Sequence, residues 1–174
     1  MPHTVSFGVA VTPLVALQLT ADVTYSAYRS FRYASPEVRV YGSDGGTVQE
    51  HPVASTDFMD TVAPRVGVEW WALPWLAVRG GYGFIPSPIA AQRGATNLLD
   101  GDRHTVSLGV GFRVPGALLW EGSGDLHVDL HGQGAVLHRR EFEKHMLLPD
   151  NPGYPNVSFS GGAWSAGLSV RMSL

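Results

Sequence analysis

The chain has 174 residues, no cysteine and only 16% charged residues, whereas an average globular domain has about 25% charged residues. Its net charge of −3 includes no basic excess, which argues against nucleic acid as a partner. Its 21 glycines and 12 prolines argue against a helical bundle, because both residues weaken helix interiors. No run approaches the roughly 18 apolar residues of a transmembrane helix, and the lack of cysteine excludes disulfides and thiolate metal sites.

Apolar and polar residues alternate with a period of two, which is the period of a β-strand. Seven segments show this alternation, and all are longer than the roughly 5 to 6 residues of an average soluble strand. They are Thr4–Val11, Leu17–Tyr28, Val62–Trp70, Leu76–Phe84, Arg103–Val114, Asp125–Val136 and Trp164–Leu174. Long strands with one apolar and one polar face are typical of a transmembrane antiparallel β-barrel. A soluble β-sandwich or lipocalin-like barrel, which would place its charge on the outside, is the less favoured alternative.

The connections between these segments alternate in length, as the short periplasmic turns and long extracellular loops of bacterial outer-membrane barrels do. The short connections are Thr12–Ala16 and Ala72–Pro74, the intermediate one is Pro115–Gly124, and the long ones are Phe31–Asp57, Ile85–Asp102 and Arg139–Val157. RVYG and TVQEHPV in the first long connection have the pattern of an extracellular hairpin. The charged segment His138–His145 is expected to form a solvated extracellular loop.

Aromatic residues cluster near both ends of the predicted strands, as in the aromatic belts at the two membrane interfaces. Trp70, Trp71 and Trp75 flank one short turn, and Phe112 and Trp120 flank the next one. Those near the long loops are Tyr25, Tyr28, Tyr82, Phe84, Phe159 and Trp164. An aromatic residue at a loop base can also serve only to fill space there.

Seven strands are an odd number, whereas a bacterial outer-membrane barrel chain has an even number. An open sheet also has two unpaired edges, which lipid cannot satisfy. The first residues lack the basic and apolar regions of a signal peptide. We therefore expect this chain to be the C-terminal part of a larger barrel.

The segment Trp75–Phe112, WLAVRGGYGFIPSPIAAQRGATNLLDGDRHTVSLGVGF, resembles the FadL-like outer-membrane transporters of long-chain fatty acids and other hydrophobic compounds. The hairpin APRVGVEWWALPWLAVRGGYGF and the final GGAWSAGLSVRMSL are similar to a hairpin and the last strand of that family. The residues that match its two loop motifs are Ser87, Pro88 and Ile89, then Asp100, Asp102 and Arg103.

The resemblance implies a 14-stranded monomeric barrel in the bacterial outer membrane, plugged by an N-terminal hatch. Residues 1–174 would be its C-terminal half, without hatch or signal peptide. The implied function is passive uptake of fatty acids or other hydrophobic compounds, with no enzymatic activity and no cofactor. The implied partners are that hydrophobic ligand, outer-membrane lipid and the missing N-terminal half. A structural or adhesive barrel without a small-molecule ligand is the alternative.

Charged residues recur on the predicted lumenal face, where arginine is the usual bidentate partner of a carboxylate. They are Asp22, Arg65, Glu69, Arg79, Arg103, Arg113, Asp125, Asp129 and Arg171. Arg79 is the first candidate for contact with a ligand head group, because it matches the Arg-bearing strand of the family. Arg103 is the second, and Arg65 and Glu69 follow. The alternative for each residue is an internal ladder of salt bridges that stiffens the barrel.

His127, Asp129 and His131 share one face of a predicted strand. Two histidines and a carboxylate are a zinc-ligand set, but the steps of about 7 Å between them are longer than one metal ion comfortably spans. No serine adjoins the row in the sequence, so a hydrolase triad is not indicated. We predict neither a metal site nor catalytic residues.

Overall fold

The computed structural model describes residues 2–30, 39–40, 49–50, 58–90, 98–116, 124–143 and 156–172. Seven long strands form one antiparallel sheet in which each strand pairs with the next long strand of the chain. They are β1 (His3–Leu14), β2 (Leu17–Ala27), β5 (Thr61–Leu73), β6 (Leu76–Ile85), β7 (Arg103–Val114), β8 (Leu126–Glu143) and β9 (Asn156–Met172). A 3₁₀ turn, Tyr28–Ser30, follows β2. No helix in these residues is long and apolar enough to cross a membrane.

The all-β, seven-stranded antiparallel prediction is confirmed. The first long connection also contains the predicted hairpin, in which β3 (Arg39–Val40) pairs with β4 (Gln49–Glu50) as a separate two-stranded unit. Trp120 and the other connection residues that fall between the described ranges lie outside the described part of the chain.

The two predicted short turns are tighter than expected, because pairing continues to Leu14 opposite Leu17 and to Leu73 opposite Leu76. Each turn therefore consists of two residues. These turns lie at one end of the sheet, called here the short-turn end. The connections after β2, β6 and β8 lie at the other, the long-loop end.

The prediction of a loop from Arg139 to Val157 was wrong at both of its ends. β8 continues through Glu143 and β9 begins at Asn156, so His138–Glu143 is strand and not loop. The register of β8 against β9 shifts between Leu137 and Arg140. One extra residue in a strand exchanges the two faces for all the residues that follow it. The alternation of apolar and polar residues is therefore interrupted after Leu137, and it did not predict a strand there.

Cross-strand pairing joins apolar residues to apolar residues over the width of the sheet. One such row runs from Val66 through Tyr82 and Val106 to Gly134 and Trp164. The surface formed by these rows is called here the apolar face, and the opposite surface, with the charged residues, the polar face.

The apolar face is not covered by any second layer of described residues. Leu108 is 67% exposed and Trp164 is 85% exposed. Among the described residues, the hydrophobic residue that is buried is Ala77. A water-soluble sheet buries its apolar side against another layer, and soluble proteins rarely expose a contiguous apolar patch of this kind. The sheet therefore has the surface of a protein that faces lipid.

We expect a charged substitution to destabilise the protein on the apolar face and to have little effect on its stability on the polar face. In phospholipid bilayers, Leu108→Arg should lower the free energy of unfolding by about 2–4 kcal/mol, the cost of an arginine on a lipid-facing strand near mid-membrane. Urea titration monitored by tryptophan fluorescence measures this change.

Gln133→Arg is the matched control, because Gln133 pairs with Ser107, the neighbour of Leu108, and therefore lies at the same height on the polar face. Its free energy of unfolding should change little. Equal destabilisation by both substitutions would contradict the assignment of the faces.

Candidate functional site

Opposite charges on the polar face are direct cross-strand partners. Asp22 of β2 lies opposite Arg65 of β5, and the Arg65 Nε donates to Asp22 Oδ1 at 2.7 Å. Arg65 Nη2 also donates to Thr24 Oγ1 at 3.2 Å. Cross-strand neighbours on one face are close enough for such pairs to form, so sequence alternation and register together explain this contact.

Arg79 on β6 is held between two carboxylates. Its Nε donates to Glu69 Oε2 of β5 at 2.5 Å, and its Nη1 donates to Asp129 of β8, two strands away. The side chain crosses β7 at Gly111, where an added Cβ would lie 2.9 Å from Arg79 Nη1 and 2.6 Å from Asp129 Oδ1. Trp71 Nε1 donates to the other Glu69 oxygen at 3.0 Å. A methyl group at this position of β7 would therefore have to displace the ends of the Arg79 and Asp129 side chains.

A fourth ion pair lies near the short-turn end, where Arg113 Nε donates to Asp125 Oδ2 at 2.8 Å. The Gly116 backbone N–H donates to the other Asp125 oxygen at 3.0 Å. These two contacts, the backbone one first, lower the pKa of Asp125 below its ordinary value. The four pairs, formed by three arginines, are contacts of the kind that the salt-bridge ladder, the structural alternative, requires.

The two motifs matched by the resemblance meet at the long-loop end. Ser87, which is almost buried, donates its backbone N–H to Asp102 Oδ1 at 2.8 Å and its hydroxyl to Asp100 Oδ2 at 3.1 Å. Arg140 Nη1 approaches Ser87 Oγ at 3.3 Å and the Asp100 carbonyl oxygen at 3.2 Å. We call Ser87, Asp100, Asp102 and Arg140 the rim cluster. Sequence analysis missed Arg140 because the bulge in β8 concealed its strand.

The chain around Pro88 is also tied to the segment that precedes β5. Met59 donates its N–H to the Pro88 carbonyl at 2.7 Å, and Phe58 forms a β-bridge with Ile89. The rim cluster therefore belongs to a connection that is fixed to the strands on both of its sides.

The rim cluster borders an open cavity of about 350 Å³ on the polar face, called here the rim cavity. Four of the predicted site residues line it, together with hydroxyl and aromatic groups. Its walls include Arg65, Arg103, Pro88, Asp100, Tyr28 and Thr61. Within the described part of the chain, the Arg103 side chain has neither an ion pair nor a hydrogen bond. The rim cavity thus contains one cation that is not neutralised by those residues.

Asp60 fixes the wall of the rim cavity that carries Tyr28. It accepts the Arg29 backbone N–H at 2.8 Å and the Tyr25 hydroxyl at 2.9 Å, which anchors the 3₁₀ turn. Tyr28 then lies against Phe58, with 6.5 Å between the ring centroids. The Arg29 N–H, and after it the Tyr25 hydroxyl, lower the pKa of Asp60.

Among the residues described, no group of three metal-ligating side chains converges. In the row His127, Asp129 and His131, the carboxylate is held by Arg79. The His131 ring covers Gly167, where an added Cβ would lie 2.5 Å from the imidazole. These side chains contact separate neighbours and not a common centre.

Gly111→Ala should destabilise the protein by about 1 kcal/mol, because the methyl group would displace Asp129 or Arg79 from a half-exposed ion pair. Gly134→Ala is the matched control, since no atom lies within 4 Å of the Cβ position there. Urea unfolding in detergent micelles measures both proteins. An equal change in the two variants would mean that the space at Gly111 is not required.

The turn at Arg29 should be sensitive to acid. Because the pKa of Asp60 is lower when folded, its stabilising contribution is complete above the ordinary value of 3.8 and is lost as the pH falls through the lowered pKa. Hydrogen exchange of the Arg29 amide, corrected for its intrinsic rate, should therefore accelerate at acid pH.

Asp60→Asn should abolish this acid dependence at Arg29. The Gly116 amide, which is bound to Asp125, should keep its own acid dependence in that variant. Retention of the Arg29 response in Asp60→Asn would show that another group is responsible.

Comparison by sequence finds no matching family model and no matching curated protein. Comparison of structures finds the crystal structure of a Pseudomonas aeruginosa FadL homologue, with a TM-score of 0.59 and 16% sequence identity. The alignment covers 97% of this chain and 34% of that chain, so this chain spans about a third of its length. Over its seven strands, the protein has a FadL-like fold.

Proposed function

We propose that residues 1–174 form the C-terminal half of a bacterial outer-membrane barrel that takes up hydrophobic compounds, long-chain fatty acids among them, by passive transport. One observation carries the proposal: a FadL-like sheet exposes one apolar face and concentrates its charges on the other. In a closed barrel the apolar face would contact outer-membrane lipid and the polar face would line the lumen, around an N-terminal hatch.

The direction of the edge strands supports a larger barrel. β1 and β9 both run from the long-loop end to the short-turn end. A segment that closes the sheet with antiparallel pairs on both edges must begin and end with strands of the opposite direction, and so contains an odd number of strands. Seven further strands satisfy this requirement and make 14. Two copies of this chain with the same membrane orientation would instead meet in parallel pairs, which bacterial outer-membrane barrels do not use.

The rim cavity is the proposed site of ligand capture. Ligand pockets combine apolar walls with a few polar groups that fix orientation, and here Pro88 and Tyr28 supply apolar surface beside Arg103. Arg103 is the first candidate for the carboxylate head group, because no described residue neutralises it. Arg79 is second, because Glu69 and Asp129 already occupy its donors.

The chemistry proposed is binding and passage, not catalysis, and it requires no cofactor. Fixed salt bridges on the polar face are equally compatible with a structural or adhesive barrel. What favours transport is that Arg103, which forms no ion pair with the described residues, lies in a concave site.

Deletion of the complete gene, in a strain without a paralogue, should reduce uptake of labelled oleate, and the intact gene should restore it. In the full-length protein, Arg103→Gln should weaken oleate binding roughly tenfold, the loss of a charge-assisted hydrogen bond. Binding of an alkane of the same length should not change.

Arg113→Gln is the control, because Arg113 lies near the short-turn end, away from the rim cavity. Uptake that is unaffected by deletion would contradict the transport function. Equal effects of Arg103→Gln on oleate and alkane would contradict the head-group role, and the same comparison for Arg79→Ala tests the second candidate.

A further inference from the structure

A second cavity, of about 210 Å³, lies on the polar face next to the rim cavity. Its walls include Gly81, Gly83, Thr105, Ser107 and Gln133. Arg65 lines both cavities. The register places the second cavity toward the short-turn end, because Arg103 of the rim cavity pairs with Ile85, and Ser107 pairs with Gly81.

Arg65 is the lining residue that the two cavities share, so its side chain lies at the boundary between them, called here the partition. Arg65 is paired with Gly83 on β6, and a Cβ at Gly83 would lie 3.1 Å from Arg65 Cγ and 3.8 Å from Cδ. The aliphatic part of Arg65 thus lies against a strand that has no side chain at this point. The guanidinium is turned toward β2, where Asp22 and Thr24 accept its hydrogen bonds.

The bond between Arg65 and Asp22 is of a kind that a ligand can replace. The two side chains are 55% and 39% exposed, and exposed ion pairs contribute little to stability. A ligand carboxylate can accept the hydrogen bond that Asp22 accepts from Arg65. Exchange of one carboxylate for the other leaves the guanidinium hydrogen-bonded in both states, and the released Asp22 side chain, which is 39% exposed, is solvated by water.

We infer, on the basis of the proposed function, that Arg65 moves a carboxylate head group from the rim cavity to the second cavity. Arg65 does so by giving up its ion pair with Asp22 and binding the carboxylate of the ligand instead. The head group first contacts Arg103, then Arg65, and the movement of Arg65 away from Asp22 opens the partition. Arg65 therefore selects carboxylates over neutral amphiphiles of the same length. Asp22 is the competitor that returns Arg65 to its closed position.

Asp22→Asn is the most direct test, because it removes the competing charge and keeps the size of the side chain. In the full-length protein, dodecanoate should bind roughly tenfold more tightly to this variant, the effect of one charge-assisted hydrogen bond that no longer has to be broken. Binding of dodecanol should not change. Arg65→Gln should slow uptake of dodecanoate by a similar factor and should not slow uptake of dodecanol.

Arg113 and Asp125 supply the matched control, since they form a similarly exposed ion pair near the other end of the sheet. Arg113→Gln and Asp125→Asn should alter neither ligand's binding. Thermal unfolding of each variant verifies that the fold is retained. A purely structural role for Arg65 and Asp22 predicts equal effects on dodecanoate and dodecanol, and that result would overturn the inference.

The exchange and the proposed function fail in different ways. If the unmodified protein binds neither ligand and deletion of the gene leaves uptake unchanged, both are wrong. If Arg103→Gln has no effect on dodecanoate, the head-group role of Arg103 and the exchange are wrong, whereas the deletion experiment decides the transport function. If dodecanoate binding depends on Arg103 but Asp22→Asn does not favour dodecanoate over dodecanol, the capture site stands and the exchange at Arg65 is wrong.

Discussion

The antiparallel register of the seven strands is the constraint on which the remaining structure depends. Because side chains alternate between the faces of a strand, a register shift of one residue would mix apolar and charged residues on both surfaces. The observed register keeps Val66 beside Tyr82 on one face and Asp22 beside Arg65 on the other. Neither face is covered by a second layer of described residues, and the exposure of the apolar face is the basis of its proposed contact with lipid.

On the polar face, the same register places residues of opposite charge next to each other on neighbouring strands. Arginine and carboxylate side chains meet across strands, so most of the charge is neutralised within the sheet. Glycine makes the longer contacts possible, as at Gly111, over which Arg79 reaches Asp129, and at Gly83, along which Arg65 lies. Among the described residues, Arg103 and Arg171 form no ion pair, and of these two Arg103 lines the rim cavity. For this reason the proposed chemistry is concentrated at the long-loop end.

The rim cluster shows how a distant contact completes a site that is local in sequence. Ser87 and Asp100 lie only 13 residues apart, and the resemblance to the FadL-like family identified them without a structure. Arg140 joins them from β8, because the bulge after Leu137 returns it to the polar face. A residue that looks like part of a charged loop thereby becomes a structural partner of the cavity wall.

The sequence by itself determined the number of long strands, the composition of each face and the alternation of short and long connections, since all three follow from period-two hydrophobicity and turn residues. It also identified Arg65, Arg79 and Arg103 as residues of the polar face. Which carboxylate each arginine contacts was decided only by the tertiary structure, because cross-strand partners depend on register and not on sequence distance. The extension of β8 beyond Leu137 and the two cavities that share Arg65 were likewise invisible in the sequence, because a bulge breaks the period and a cavity is defined by residues from several strands.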